Sequence, residues 1–182
     1  MSPGIVLPLV LLALLVVVLV LLARRAGVAL ARTRQVTGFQ RQVAGLLGRV
    51  DPAVERLIGR VDAVRRHQVP ADEIRQLLGE THATLTAELD VATAWQVPQG
   101  FGDLAAAATD DLQRAARAVE MIVFGAELTT RGDSRQRELE AQTAIKRGYL
   151  NLLHARRSLL DHVAALDART SALPRGWRAS RI

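Results

Sequence analysis

The chain has 182 residues, 49% of them hydrophobic and only 3% aromatic, with no cysteine and a formal net charge of +6. The missing cysteines exclude a disulfide framework, thiolate chemistry and a thiolate metal site, and the length allows one ordinary core once the apolar start is set aside. The charge is not placed as a nucleic-acid binder would place it: all 18 acidic residues lie from Asp51 onward, where the basic ones balance them, so the whole excess sits before Asp51.

After a short start, residues 1–4, the stretch Ile5–Ala23 carries neither a charge nor a side-chain hydrogen-bonding group. As a helix it spans about 28 Å, close to the hydrocarbon core of a bilayer. Pro8 falls in the first turn, where a missing N–H costs little. "MSPG" has no basic side chain and the apolar run exceeds that of a signal peptide, whose best cleavage-like site here, Ala29–Ala31, lies beyond Arg24 and Arg25. A retained transmembrane helix over residues 5–23 is therefore expected. An exported protein is the alternative, if residues 1–31 are a signal peptide. Arg24, Arg25, Arg32 and Arg34 follow the segment and no basic side chain precedes it. The positive-inside rule then puts the N-terminus outside and the rest in the cytoplasm, at the inner membrane, with these arginines at the interface.

Residues 24–49 read as a basic juxtamembrane helix and 50–170 as the body. From Val43, the positions Leu47, Val50, Val54, Leu57, Val61 and Val64 follow in alternating steps of four and three, a coiled-coil seam that Val36 also joins. Asp51-Pro52 predicts a break or kink inside it, and Val69-Pro70 ends it behind Arg65, Arg66 and His67. A second helix, about 70–96, opens "PADEI" and buries Ile74, Leu78, Leu85, Leu89 and Ala92. "VPQGFGD" is a loop that closes on Asp103 as N-cap. A third helix, about 103–129, lines up Ala105, Ala108, Leu112, Ala115, Val119, Ile122 and Ala126. In "TTRGDS", Gly132 ends that helix and Asp133 caps the next. The last, about 134–170, carries Ile145, Tyr149, Leu152, Leu159, Val163 and Leu166. Short connections make neighbours antiparallel. The expected class is all-α: one transmembrane helix, then an antiparallel four-helix, coiled-coil-like bundle. The last helix then brings the tail, residues 171–182, back towards the bilayer, where Trp177 and Arg178 would join the interface.

No side-chain constellation announces chemistry. There is no P-loop, no G-x-G-x-x-G and no nucleophile elbow. His154 and His162 share a helix without a Glu-x-x-His companion, and Asp110-Asp111 are adjacent, so their carboxylates point apart. His82 reads as a core-edge residue, and Arg131-Gly132-Asp133 as a helix end followed by a cap. Arg156 falls on the seam, where it needs a carboxylate partner or an open groove. Two features suggest partners: Gly38, Gly45 and Gly59 at multiples of seven, and "MIVF", where Val123 and Phe124 point off the seam. The expectation is a non-enzyme without cofactor, metal, small-molecule substrate or nucleic acid. It is a membrane-anchored scaffold or interaction module, whose partners are the bilayer and another protein or a second copy. The alternative is a signalling or regulatory subunit in which the anchor acts on the seam. The plan of short outside N-terminus, anchor and cytoplasmic long-helix bundle is similar to that of the LemA family in architecture. "RTRQVTGFQRQVAGLLGRV" stands where that family has a polar and aromatic run.

Overall fold

The computed structural model describes the backbone of residues 3–130 and 134–171, and the side chains of residues 15–21, 24, 34–129 and 134–171. It is all-α. Helix α1 is Pro3–Arg65, a 3-10 turn at Ala71–Ile74 leads into α2 (Arg75–Thr93), α3 is Gly102–Thr130 and α4 is Arg135–Ser171. Each helix packs on two others: α1 and α3 both touch α2 and α4. Pairs along the lengths fix the directions. Gln40 bonds Thr170 and Asp51 bonds Arg156, so α1 and α4 run antiparallel. Arg49 meets Glu88, His82 meets Glu120 and Asp103 meets Arg169, which sets the other neighbours antiparallel too.

The core forms where the seams predict it. Val36, Val43, Val50, Val54, Leu57, Val61 and Val64 are buried on α1, and the seven expected positions of α3 are buried without exception. Packing thus begins at Val36, inside the stretch read as juxtamembrane. Leu46 is fully buried and Leu47 only partly. A step of three or four from Val43 satisfies the seam equally, and the packed bundle buries Leu46 more fully than Leu47. Leu89, Tyr149 and Val163 are likewise half-buried at the core edge.

Three local expectations need correction. Of the break or kink expected at Asp51-Pro52, the break does not occur: α1 runs unbroken to Arg65. Pro52 is exposed, and the core residues Val50 and Val54 on either side hold the helix to the same neighbours. Asp103 lies inside α3, whose first residue is Gly102. At the start of α4 the cap is Ser134, whose Oγ accepts from the Arg137 N–H at 3.4 Å; Asp133 is outside the described residues, as are Arg131 and Gly132.

Helix α1 ends in a Schellman arrangement. The Gln68 N–H donates to Ala63 O and the His67 N–H to Val64 O, both at 2.9 Å. His67 sits at φ 57°, in the left-handed region that usually takes glycine. At the opposite end, Phe39 stacks edge-on against Trp95 at 5.5 Å and lies 6.1 Å from Phe101. This plug fills the gap left by the α2–α3 loop, and periodicity does not reveal it because two of its members lie outside the helices.

The closest helix contact is between α3 and α4. A Cβ placed on Gly148 would come within 2.7 Å of Ala118 O and 2.6 Å of Ile122 Cγ1. One on Gly125 would lie 2.9 Å from Ala141 O and 2.7 Å from Ile145 Cγ1. Gly38 and Gly59, by contrast, face open space, and Gly45 would meet only the Arg49 guanidinium, at 3.4 Å. Close approach within the bundle therefore uses Gly125 and Gly148, and Gly38, Gly45 and Gly59 take no part in it. Gly148→Ala is expected to destabilise the fold by about 1–3 kcal/mol through overpacking. Gly59→Ala should stabilise it by up to about 1 kcal/mol through helix propensity. Denaturant titrations followed by circular dichroism measure both.

Candidate functional site

The feature least expected of a folded bundle is the surface of α1 ahead of it. Leu15, Val16, Val17, Val18, Leu19, Val20 and Leu21 are each between 42% and 57% exposed. Seven consecutive residues make about two turns, so the apolar surface goes all the way round the helix. Arg24 and Arg34, behind it, are also exposed. The remainder of Ile5–Ala23, the side chains of Arg25 and Arg32, and Trp177 and Arg178 lie outside the described residues. Among the described residues, no helix is long and apolar enough to cross a membrane. Ser171 ends α4 at the level where α1 enters the bundle, next to the Gln40–Thr170 contact.

Charged groups also join the helices of the bundle to one another. Asp111 is 2% exposed, accepts a hydrogen bond from His162 Nδ1 at 2.9 Å and another from Arg114 Nη1 at 3.3 Å. That contact fixes the proton of His162 on Nδ1. Asp110 is exposed, so the two adjacent carboxylates do point apart. Arg156 finds a carboxylate partner: Nε donates to Asp51 Oδ1 at 2.6 Å, and Nη2 lies 3.4 Å from Glu55. The hydrogen bond to Asp51 raises the Arg156 pKa further, against the lowering effect of burial. Arg49 grips both carboxylate oxygens of the buried Glu88, the second at 2.8 Å. The two buried carboxylates, Asp111 and Glu88, each have a partner, as buried ions require. These pairs tie neighbouring helices together at fixed heights.

The other singled-out residues are dispersed. His154 is exposed on α4, away from the Asp111–His162 contact, and no group of three metal-ligating side chains converges among the described residues. His82 is a half-buried edge residue whose Nε2 lies 3.1 Å from Glu120 Oε1. Val123 is half-buried against the core, whereas Phe124 remains 57% exposed beside a hollow of about 320 Å3 between α2 and α3. A larger cavity, about 810 Å3, opens at the far end between the His67–Asp72 turn and the first turns of α4. No protein-family model matches the chain, and neither a curated protein nor a solved structure is significantly similar to it.

Two predictions follow from the charged groups. His162→Ala should cost about 1–3 kcal/mol, because it takes a donor from a buried carboxylate, while the double variant Asp111→Leu/His162→Leu should recover most of that loss. Thermal unfolding of both reads this directly. The second concerns Asp103, whose carboxyl is held below its ordinary value by the Arg169 hydrogen bonds at 2.9 Å, assisted by backbone N–H groups. A depressed carboxyl pKa stabilises the fold above the unfolded value and loses that effect as pH falls through the folded one. The contribution is therefore complete near neutrality and disappears on the acid side of the usual carboxylate range. Arg169→Gln should shift the Asp103 titration, followed by carboxyl NMR, upward.

Proposed function

We propose that this chain is a non-catalytic, single-pass membrane protein whose helical bundle serves as a cytoplasmic scaffold or interaction module. The observation that carries the reading is the exposed apolar sleeve, Leu15–Leu21, on the same helix that supplies the bundle with Val36–Val64. An apolar surface that encircles a helix needs an apolar surrounding. Within the longer uncharged stretch Ile5–Ala23, a bilayer matches both its length and its symmetry. The arginines behind it and the lack of basic residues before it favour the cytoplasmic side for the bundle. Paired internal charges and dispersed histidines support a structural role for the polar residues. Function then lies in confining helix surfaces to the membrane face, which raises the local concentration of anything they bind.

One observation favours a second reading alongside the first. Because α1 is assigned as one helix from Pro3 to Arg65, a rotation or shift of the anchor would pass directly into the Val36–Val64 seam. The bundle would then report the state of the anchor, as a regulatory subunit does.

A pair of reporters fused after Ile182, one active only in the cytoplasm and one only outside, tests the reading. We expect cytoplasmic activity from a full-length product that stays in the membrane after alkaline extraction. External activity from a shortened, soluble product would make the apolar stretch a signal peptide and overturn the proposal.

A further inference from the structure

We propose that the outer face of α4 is a docking site for an amphipathic helix of a partner protein, one whose apolar stripe is interrupted by acidic residues. The inference deepens the interaction-protein reading above and rests on it. From Leu139 a step of seven reaches Lys146, and alternating steps of four and three then reach Leu150, Leu153, Arg157 and Leu160. That is the spacing of a coiled-coil seam. Leu139, Lys146, Leu150, Leu153 and Arg157 each stand two residues before a buried one: Ala141, Gly148, Leu152, Ala155 and Leu159. Two residues turn a helix by about 200°, so α4 carries a second seam on the side away from the core. Leu139, Leu150 and Leu160 are 57%, 41% and 36% exposed, and Leu153 is half-buried. Outside the sleeve, they make up half of the exposed large apolar side chains among the described residues; Val91, Val97 and Phe124 are the others.

Charge specifies the occupant. Lys146 and Arg157 lie in the stripe itself, both exposed, and neither has an ion-pair or hydrogen-bond partner among the described residues. The carboxylates of the same helix do not serve them. Glu138 and Glu140 accept from Gln142 and Gln136, and Asp161, one turn beyond Arg157, forms no ion pair with it. A helix seated on the four leucines would cover both cations, and covered cations need carboxylates opposite them. The matching surface is therefore an apolar stripe with two acidic residues eleven positions apart, the spacing of Lys146 and Arg157.

This chain does not carry such a stripe itself. Its other helices turn their apolar stripes into the core, and outside the sleeve they expose only two valines and one phenylalanine of the large apolar kind among the described residues. The residues before Asp51 and after Ser171 include no acidic side chain. Two copies standing parallel in one bilayer would set Lys146 against Lys146 and Arg157 against Arg157 if they met along this face. A lipid surface fits poorly too. Helix α4 runs antiparallel to α1, which is one helix from Pro3 to Arg65. With the sleeve in a bilayer, the stripe runs for about 32 Å along the membrane normal instead of lying on the surface.

The test uses the full-length chain in nanodiscs of neutral phosphatidylcholine, with empty nanodiscs as the blank. The probe is a dye-labelled amphipathic peptide with leucine along its seam and glutamate at two seam positions eleven residues apart. Its counterparts carry glutamine or lysine at those two positions. Each peptide stays at nanomolar concentration while the chain is titrated, and fluorescence anisotropy reports binding. We expect saturable binding of the glutamate peptide, and binding weaker by about tenfold or more for the glutamine peptide. Leu139→Gln and Leu150→Gln, at exposed positions, should each weaken binding by a similar factor and leave the melting temperature unchanged. The double variant Lys146→Glu/Arg157→Glu should reverse the preference and bind the lysine peptide best, a result that a loss of fold would not produce. Absence of saturable binding, equal binding of the three peptides, or a double variant without the reversal would overturn the proposal. Three further results would overturn it by giving the stripe another occupant. They are binding that appears only after residues 172–182 are removed, a dimer of the chain that Leu150→Gln dissociates, and a dye attached after Leu160→Cys that shifts to the blue when phosphatidylserine replaces part of the lipid. Co-elution of the chain with the discs reads the anchor separately, so a failure of the membrane reading is recognised as such.

Discussion

The bundle is organised around the place where α3 and α4 touch backbone to backbone. Gly125 lies on Ala141 and Ile145, and Gly148 on Ala118 and Ile122, at separations that leave no room for a Cβ. Two helices this close bury little side-chain volume between them, and the flanking residues are correspondingly small: Ala115, Ala118 and Ala126 on α3, Ala141 and Ala155 on α4. Every helix supplies bulk to the core: Leu46 and Leu57 of α1, Leu78 and Leu85 of α2, Leu112 and Ile122 of α3, and Leu152 of α4 are all fully buried.

A bundle with such regular seams could slip along its helix axes, since a shift of one heptad preserves most apolar contacts. The charged pairs oppose that slip. Asp51 with Arg156, Asp111 with His162 and Glu88 with Arg49 join different helix pairs at fixed heights. A heptad shift would leave the buried carboxylates Asp111 and Glu88 without their partners, at a cost well above that of a displaced leucine. The aromatic plug of Phe39, Trp95 and Phe101 closes one end in the same specific way. Register comes from these few contacts, while the apolar seams supply most of the burial.

Helix α1 has to satisfy two surroundings at once. From Val36 onward it presents one stripe to the core and a polar face to water; over Leu15–Leu21 it is apolar on every side. The basic residues Arg24 and Arg34 lie between these regimes. No helix break separates them, so whatever covers the sleeve is mechanically joined to the bundle.

The sequence by itself determined the all-α class, the approximate extents of the last three helices and most of the core positions. These follow from periodicity and composition, which are local properties of the chain. It also placed the apolar stretch and the asymmetric arginines that direct the functional reading. Only the tertiary structure decided which glycines are indispensable. Gly38, Gly45 and Gly59 share a regular spacing yet face space or a flexible side chain, whereas Gly125 and Gly148 stand alone in the sequence and meet backbone across the helix interface. The choice of Leu46 over Leu47, the partner of Asp111, and the exposure of Phe124 were decided in the same way. Each depends on what a neighbouring helix brings to that height, and a periodicity of three and four carries no information about the neighbour.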